Sequence, residues 1–237
     1  MNFLVFLFFI FYIQQICASN ITQIVKPIVL TSTNTLIIKG EINDKLATQF
    51  IYQLNQKDSK NNLFVYLDTN GGSVDAGNKI VNEIIKYKLD CIASTAISMG
   101  FVILQSCKNR YITDFSTLMQ HQMSYGIMNE KEKIESYVNY IKQIDNRLTK
   151  LQSKKIGIDA SKFKKKTYND WWLFGENAIH ENCADKIVDV KCSAKLTNQT
   201  YTVDKGQYTY VYSKCPLVSG HIDKKKNKNN DDFIFYF

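Results

Sequence analysis

The chain has 237 residues, of which 45% are hydrophobic, and a formal net charge of +8 at pH 7. This length and apolar content support one globular domain with a sizeable core, and they exclude a disordered or fibrous chain. The positive charge is dispersed among acidic residues and accompanies no nucleic-acid-binding motif. It therefore indicates a solvated basic surface and no nucleic-acid partner.

The first 19 residues are typical of a secretory signal peptide. Phe3–Ile13 is an apolar run too short for a comfortable transmembrane helix, and the small residues Ala18 and Ser19 follow it. The segment before this run has no basic side chain, and only the terminal amine is positive there, whereas signal peptides usually begin with basic residues. An uncleaved signal anchor is therefore the alternative. We expect a protein that is secreted or lies in the secretory-pathway lumen, with residues 20–34 as an N-terminal arm.

Strand-like and helix-like segments alternate after the arm. The strand-like segments are apolar enough to be buried on both faces, and the segments between them carry apolar residues at helical spacing. The predicted strands are Thr35–Ile42, Leu63–Asp68, Leu89–Ala93 and pieces of Arg110–Gln120, and the predicted helices include Asp44–Gln56 and Val74–Lys88. This order predicts an α/β fold with a mainly parallel sheet flanked by helices.

Residues 129–157 form the longest periodic segment. Apolar residues recur there at three- and four-residue steps, with charged and amide residues between them: Ile134, Val138, Ile141, Ile144 and Leu148. The pattern predicts a long amphipathic helix that either lies on its own domain or projects and packs against a neighbouring subunit. The second possibility makes a homo-oligomer the expected assembly.

Five cysteines follow the predicted signal peptide. Cys91 and Cys107 flank one apolar helix-like run, whereas Cys192 and Cys215 lie on two strand-like segments around a turn at 204–206. In an oxidising compartment we expect both pairs to form disulfides and Cys183 to stay free. The sequence has no Cys-x-x-Cys motif of the kind that binds zinc. We expect neither a metal nor a cofactor.

The C-terminal part divides into two segments. Residues 191–220 are predicted to form a disulfide-linked β-hairpin. Residues 221–237 are rich in lysine, asparagine and aspartate and are predicted to be a disordered basic tail.

Ser98 lies in a turn of small residues between a predicted strand and an apolar helix. Backbone amides and the positive end of a helix dipole converge at such a turn, which suits a nucleophile and stabilises developing negative charge. From this stretch alone, a tightly packed turn in the core is the competing interpretation.

A serine nucleophile needs a base and a group that orients the base. His121 is the one of three histidines that follows a strand in the body of the predicted fold. Asp170 precedes two tryptophans and is the carboxylate best placed near apolar surface. Taken singly, His121 also suits a structural histidine and Asp170 a helix N-cap.

Four motifs in this order resemble the Clp protease proteolytic subunit family. They are Asn70-Gly71-Gly72-Ser73-Val74, Ala96-Ile97-Ser98-Met99-Gly100, Met119-Gln120-His121-Gln122, and Asp170 with Leu173 and Ala178. The likeness covers about Thr35 to Val190. It implies a ClpP/crotonase-like fold for a peptidase domain at 35–190, with the long helix and the C-terminal hairpin as additions to the central sheet.

The resemblance also implies a serine endopeptidase. Ser98 would be the nucleophile, His121 the general base and acid, and Asp170 the orienting carboxylate. The backbone amides of Gly72 and Met99 would form the oxyanion hole. The substrate would be a peptide or protein.

Two departures from the family pattern weaken the match to the members that work with an ATPase partner. Asn70 and Met123 stand where the family usually has proline. Family members form paired seven-membered rings and receive substrate from an ATP-driven unfoldase. Because a secreted chain meets little ATP, we expect an ATP-independent relative without an ATPase partner.

Three alternatives stay open at this stage. A serine–lysine protease of the signal-peptide-peptidase kind would use Lys133 or Lys142 as base in place of His121. A crotonase-like acyl-CoA enzyme would share the oxyanion hole and would not need Ser98. A catalytically inactive assembly or binding module is the third.

Overall fold

The computed structural model describes residues 27–227. The predicted signal peptide, the start of the N-terminal arm and the end of the tail lie outside the described residues. The strands are β1 (Ile28–Leu30), β2 (Thr35–Lys39), β3 (Phe64–Thr69), β4 (Asp90–Ile97), β5 (Arg110–Gln120), β6 (Trp171–Phe174), β7 (Lys186–Ile187), β8 (Val190–Cys192), β9 (Thr200–Lys205), β10 (Tyr208–Ser213) and β11 (His221–Lys226). The helices are α1 (Asp44–Asn55), α2 (Val74–Tyr87), α3 (Met99–Ser106), α4 (Lys131–Ile156), α5 (Ala160–Lys166), α6 (Glu176–His180) and α7 (Ala194–Thr197).

A six-stranded sheet forms the centre of the fold. Its order is β2-β3-β4-β5-β6, with β7 also paired to β5. Strands β2 to β5 are parallel to one another, and β6 runs antiparallel to β5. The predicted α/β class with a mainly parallel sheet is therefore confirmed.

The crossover helices begin at the capping residues that the sequence supplies. The Asn43 side chain accepts a hydrogen bond from the Leu46 amide at the start of α1, and Ser73 does the same for Ala76 at the start of α2. Helix α3 is buried along nearly its whole length, from Met99 to Gln105. This burial explains why its sequence is apolar on every side.

Helix α4 is the predicted long amphipathic helix. Its C-terminal half packs on the core through Leu148, Gln152 and Ile156, while most residues of its first ten are exposed. It ends at Gly157, whose φ of +81° suits a glycine at a helix C-terminus. The helix therefore packs on its own domain through its second half and exposes most of its first half to solvent.

The C-terminal extension contains the expected hairpin, but its details differ from the sequence-based expectation. Strands β9 and β10 pair as predicted, and β11 adds to β10 as a third antiparallel strand. The segment 191–203 is not one strand, because the Ser193 side chain accepts from the Leu196 amide and starts helix α7.

The prediction of disorder from residue 221 is wrong for residues 221–226. These residues form β11, and their side chains pack against the tyrosines of β10. The Lys224 ammonium lies 3.8 Å from the ring centroid of Tyr208, and the His221 ring meets Tyr210 edge to face at 5.1 Å between centroids. Cation–π and aromatic contacts thus compensate for the polar composition.

Both predicted disulfides are present. Cys91–Cys107 joins the start of β4 to the residue that follows α3, and Cys192–Cys215 joins β8 to the residues after β10. Cys183 is free and fully buried, and burial raises the pKa of its thiol to about 12. The thiol of Cys183 is therefore protonated at neutral pH and behaves as a core residue.

Arg110 is buried at the start of β5 and joins three elements. Its guanidinium donates to Asp185 at 2.5 Å, to the Gln105 side chain at 2.6 Å and to the Asn182 carbonyl at 2.8 Å. Burial alone would raise the pKa of Asp185, but the hydrogen bonds and the charge of Arg110 outweigh it and lower that pKa. The pair therefore stabilises the fold at neutral pH.

We predict that Asp185→Asn lowers the free energy of unfolding by about 2 kcal/mol at pH 7. This is less than for a fully enclosed pair, because Asp185 keeps some solvent contact. The folded-state pKa of Asp185 is lowered, so the stabilisation exists above the ordinary aspartate pKa of about 3.9 and disappears as the pH falls through the lowered value. Urea unfolding of both proteins at pH 7 and at successively lower pH measures the difference.

Asp44→Asn is the matched control, since Asp44 pairs with Lys79 on the exposed surface. It should leave the urea midpoint unchanged. Equal midpoints for wild type and Asp185→Asn at pH 7 would contradict the prediction.

Candidate active site

Ser98 occupies the one-residue connection between β4 and α3. Its φ of +56° and ψ of −117° lie outside the regions that residues other than glycine normally adopt. The Ser98 amide donates to the Met119 carbonyl at 2.8 Å, and the Ser98 carbonyl accepts from the amides of Phe101 and Val102. The strained backbone is therefore held from both sides, as expected for a functional turn.

The side chain of His121 reaches Ser98. Its Nε2 atom lies 2.8 Å from Ser98 Oγ. The parallel ladder between β4 and β5 pairs Ile97 with Met119, so the residues that follow these two strands emerge side by side. This is the nucleophile–base contact that the sequence predicts for Ser98 and His121.

A two-glycine turn after β3 closes the site on another side. Gly71 and Gly72 have φ values of +95° and +145°, and the backbone of Ile42 bonds to both ends of the turn. A Cβ atom on Gly71 would lie 2.8 Å from Ser98 Cβ and from the Ile97 carbonyl oxygen. Only glycine lets the turn approach Ser98 this closely.

Two backbone amides at this turn and at α3 are available to bind an anion. Met99 is the first residue of α3, where an amide has no acceptor within its own helix. Within residues 27–227, the Gly72 amide has no backbone acceptor. Both residues line the same cavity as Ser98, so the predicted oxyanion residues are brought together with the predicted nucleophile.

Asp170 is placed differently. It is exposed, has a φ of +28° and directly precedes β6. Among the described residues, no hydrogen bond joins its carboxylate to His121. The structure therefore brings four of the five predicted residues to one cavity, and the orienting role of Asp170 stays a prediction.

The cavity has a volume of about 440 Å³ and changes character from its walls to its rim. Its walls are apolar, its interior also contains buried amide and hydroxyl groups, and its rim carries charges of both signs. The apolar lining includes Leu148 and Phe163, the buried polar lining includes Gln120 and Gln152, and the rim includes Lys142 and Asp145. In the described part of the chain, no group of three or more acidic, histidine or cysteine side chains is placed to hold a metal.

The sequence-based predictions missed two residues of the site, Gln120 and Gln152. Gln120 stands within the quoted histidine motif, but its side chain carried no assigned role. Gln152 lies four residues after Leu148, on the buried face of α4, which carries both apolar and polar residues. A polar residue in that register was the available signal, because a buried amide needs hydrogen-bond partners.

A serine on a strained strand-to-helix turn, in contact with a histidine and flanked by available amides, defines the site of a serine hydrolase. The family comparison agrees with this geometry. The family model of Clp protease matches residues 19–191. The chain therefore belongs to the Clp protease family, and it is a serine-type peptidase.

Curated relatives show the same relationship. The ATP-dependent Clp protease proteolytic subunit 2 of Borreliella burgdorferi is 28% identical over 167 residues, which is 67% of this chain and 84% of the relative. The ATP-dependent Clp protease proteolytic subunit of Borreliella afzelii is also 28% identical, over 65% of this chain and 82% of that protein. Subunit 1 of Borreliella burgdorferi matches to a similar extent. The resemblance drawn from the four motifs is confirmed.

We predict that Gly71→Ala lowers kcat/KM toward a peptide substrate by about 100-fold or more. The added methyl group would meet Ser98 Cβ at 2.8 Å, and the turn would have to move away from Ser98. Such a shift also displaces the amide of Gly72, the predicted oxyanion-hole donor, and loss of a donor of this kind typically costs about 10²–10³ in rate.

Gly40→Ala is the matched control. Gly40 also has a positive φ, of +83°, but an added Cβ would meet nothing within 4 Å. This variant should lose some stability and keep its kcat/KM. Gly71→Ala activity within threefold of wild type would contradict the prediction.

Proposed function

We propose that this chain is a serine endopeptidase that hydrolyses peptide bonds through Ser98, His121 and Asp170. The observation that carries the proposal is the 2.8 Å contact between Ser98 Oγ and His121 Nε2, in a member of the Clp protease family. The substrate is a peptide or protein whose side chain enters the cavity beside Ser98.

The reaction proceeds in two halves. Ser98 Oγ attacks the scissile carbonyl carbon while His121 Nε2 accepts its proton, and the amides of Gly72 and Met99 bind the resulting oxyanion. His121 then gives the proton to the leaving amine, which leaves an acyl-enzyme on Ser98. Water, deprotonated by His121, hydrolyses that ester, and the proton returns to Ser98.

Asp170 orients the imidazole in this proposal. Asp170 directly precedes Trp171 of β6, which pairs with Gln120 of β5, and His121 directly follows Gln120, so Asp170 and His121 both adjoin the last pair of the ladder. In this proposal the exposed carboxylate turns toward the imidazole Nδ1 atom and accepts its hydrogen bond. Substrate binding in the adjacent cavity provides an occasion for that rotation.

The geometry favours His121 over a lysine as the base. Lys133 forms an ion pair with Glu130 at 2.6 Å on the exposed start of α4. Lys142 lies at the rim of the cavity and makes no hydrogen bond with Ser98 among the described residues. A crotonase-like acyl-CoA enzyme would not require the contact between Ser98 and His121.

We predict that a fluorophosphonate probe labels the wild type and does not label Ser98→Ala. His121→Ala should lower kcat by 10³-fold or more, since loss of a triad member costs about that much. Asp170→Asn should also lower kcat. Mass spectrometry of the labelled peptide and steady-state assays measure these effects.

Lys142→Ala is the control, and it should keep at least half of the wild-type kcat. Absence of Ser98-dependent labelling would refute the peptidase mechanism. Activity that survives His121→Ala but is lost in Lys142→Ala would identify the serine–lysine mechanism.

We further propose an ATP-independent peptidase of the secretory lumen or the extracellular space, without an ATPase partner. The support is the apolar segment Phe3–Ile13 with its small-residue ending, together with the disulfides Cys91–Cys107 and Cys192–Cys215. Disulfides persist in oxidising compartments. The relatives are named ATP-dependent Clp proteases, so the proposal sets this chain apart from them.

We predict that both cysteine pairs are recovered as disulfides when the protein is isolated from its native cells with free thiols trapped by alkylation. The Cys183 peptide should be alkylated only after denaturation, because that thiol is buried and its pKa is raised. Differential alkylation with peptide mass spectrometry reads each cysteine separately. Recovery of Cys91, Cys107, Cys192 and Cys215 as thiols would place the chain in a reducing compartment.

The proposed assembly is a homo-oligomer. The first half of α4 is largely exposed and presents the paired rings of Tyr137 and Tyr140. A second copy of this chain is the proposed partner of that surface.

A further inference from the structure

Two glutamine side chains lie buried between the end of β5 and helix α4. Gln120 is 5% exposed and Gln152 is 3% exposed. They hydrogen-bond to each other, with the Gln120 amide group as donor and Gln152 Oε1 as acceptor. Two buried amides that need partners form a costly feature unless each hydrogen bond is made.

The pair connects two fixed backbone groups. The amide N–H of His121 donates to Gln120 Oε1 at 3.0 Å, and Gln152 Nε2 donates to the Leu148 carbonyl at 3.0 Å. Because one end of the chain of bonds is a backbone donor and the other a backbone acceptor, the orientation of both side-chain amides is determined. Reversing either amide would place two donors or two acceptors together.

The position of the network explains what it does for His121. The β5–β6 ladder ends with Gln120 and Trp171, so the next amide, that of His121, has left the sheet. No backbone carbonyl among residues 27–227 accepts from it. The Gln120 side chain supplies that acceptor, and Gln152 holds the Gln120 side chain in place from α4.

We propose that Gln120 and Gln152 are positioning residues that tie the main chain of His121 to helix α4 and thereby aim its imidazole at Ser98. The inference rests on the proposed function, in which His121 is the general base. Neither glutamine contacts the reacting atoms. A shift of about 1 Å in a catalytic group is enough to cost about 100-fold in rate. The position of helix α4 therefore determines whether the His121 imidazole lies close enough to Ser98 to accept its proton.

A specificity role is the alternative, because both glutamines also line the cavity. The two roles differ in kinetics. A positioning residue lowers kcat for every substrate and leaves KM nearly unchanged, whereas a specificity residue changes the ranking of substrates by the side chain that enters the cavity.

The test uses Gln152→Leu in the full chain, a change of similar volume that removes both hydrogen bonds of Gln152. We expect kcat to fall 10- to 100-fold on each of several peptides that differ in the residue before the scissile bond, with KM within twofold. Labelling of Ser98 by the fluorophosphonate should slow by the same factor. Gln152→Glu keeps the acceptor oxygen for Gln120 but sets a second carboxyl oxygen against the Leu148 carbonyl, so it should recover only part of the lost kcat.

Gln105→Leu is the matched control. Gln105 is another buried glutamine, and it bonds to Arg110 and to the Cys183 carbonyl, away from His121. This variant should lose stability and keep kcat. A kcat for Gln152→Leu within threefold of wild type, an altered ranking of substrates, or an equal loss of kcat in Gln105→Leu would overturn the proposal.

A second measurement does not depend on turnover. Nitrogen-15 NMR of the His121 imidazole reports its hydrogen bond with Ser98, and the Nε2 resonance should move in Gln152→Leu but not in Gln105→Leu. An unmoved resonance overturns the positioning role even in a protein without activity. Conversely, if the Nε2 resonance moves in Gln152→Leu but the wild type has no Ser98-dependent turnover, the proposed function alone is refuted.

Discussion

The register between β4 and β5 is the constraint on which the site depends. Ala93 pairs with Ile112, but Thr95 pairs with Thr117, so β5 takes a longer path than β4 at this point. The fully buried Ser116 closes the bulge, because its hydroxyl donates to the Ala93 carbonyl at 2.6 Å and accepts from the Thr113 amide at 2.8 Å. Beyond the bulge, the ladder aligns Ile97 with Met119 and delivers Ser98 beside His121. A slip of one residue would turn the histidine to the opposite face of the sheet.

The strain at Ser98 is tolerated because its neighbours leave no other arrangement. A non-glycine residue at such a backbone position costs on the order of 1–3 kcal/mol. The Met119 carbonyl, the first turn of α3 and the close approach of Gly71 hold Ser98 from three directions. The disulfide between Cys91 and Cys107 joins the start of β4 to the end of α3, the two elements that Ser98 connects. The same contacts that stabilise the turn therefore expose the serine hydroxyl to the cavity.

Much of this architecture follows from local sequence patterns, and the remainder depends on contacts that such patterns do not encode. Apolar runs and helical spacing predict the parallel sheet and α4, and four short motifs predict Ser98, His121, Gly72 and Met99. The link between Gln120 and Gln152 joins residues far apart in the chain and depends on how α4 lies against β5. Strand β11 was predicted to be disordered, because its lysines and aspartate are polar and the tyrosines that receive them belong to another strand.

The C-terminal extension is an integral part of the fold, although the family model ends at residue 191. Leu196 of α7 is 4% exposed and packs with Leu30, Tyr66, Ile92 and Val188 in a second apolar cluster, separate from the main core. Tyr66 and Ile92 belong to the central strands β3 and β4, so the extension covers part of the sheet that carries the site. A helix as short as α7 is not stable alone. The disulfide between Cys192 and Cys215 brackets it and limits the freedom that the segment would regain on detachment. The burial of Leu196 holds α7 against the sheet, and the disulfide lowers the entropy that the segment would gain by detaching. The two effects together keep the extension on the domain.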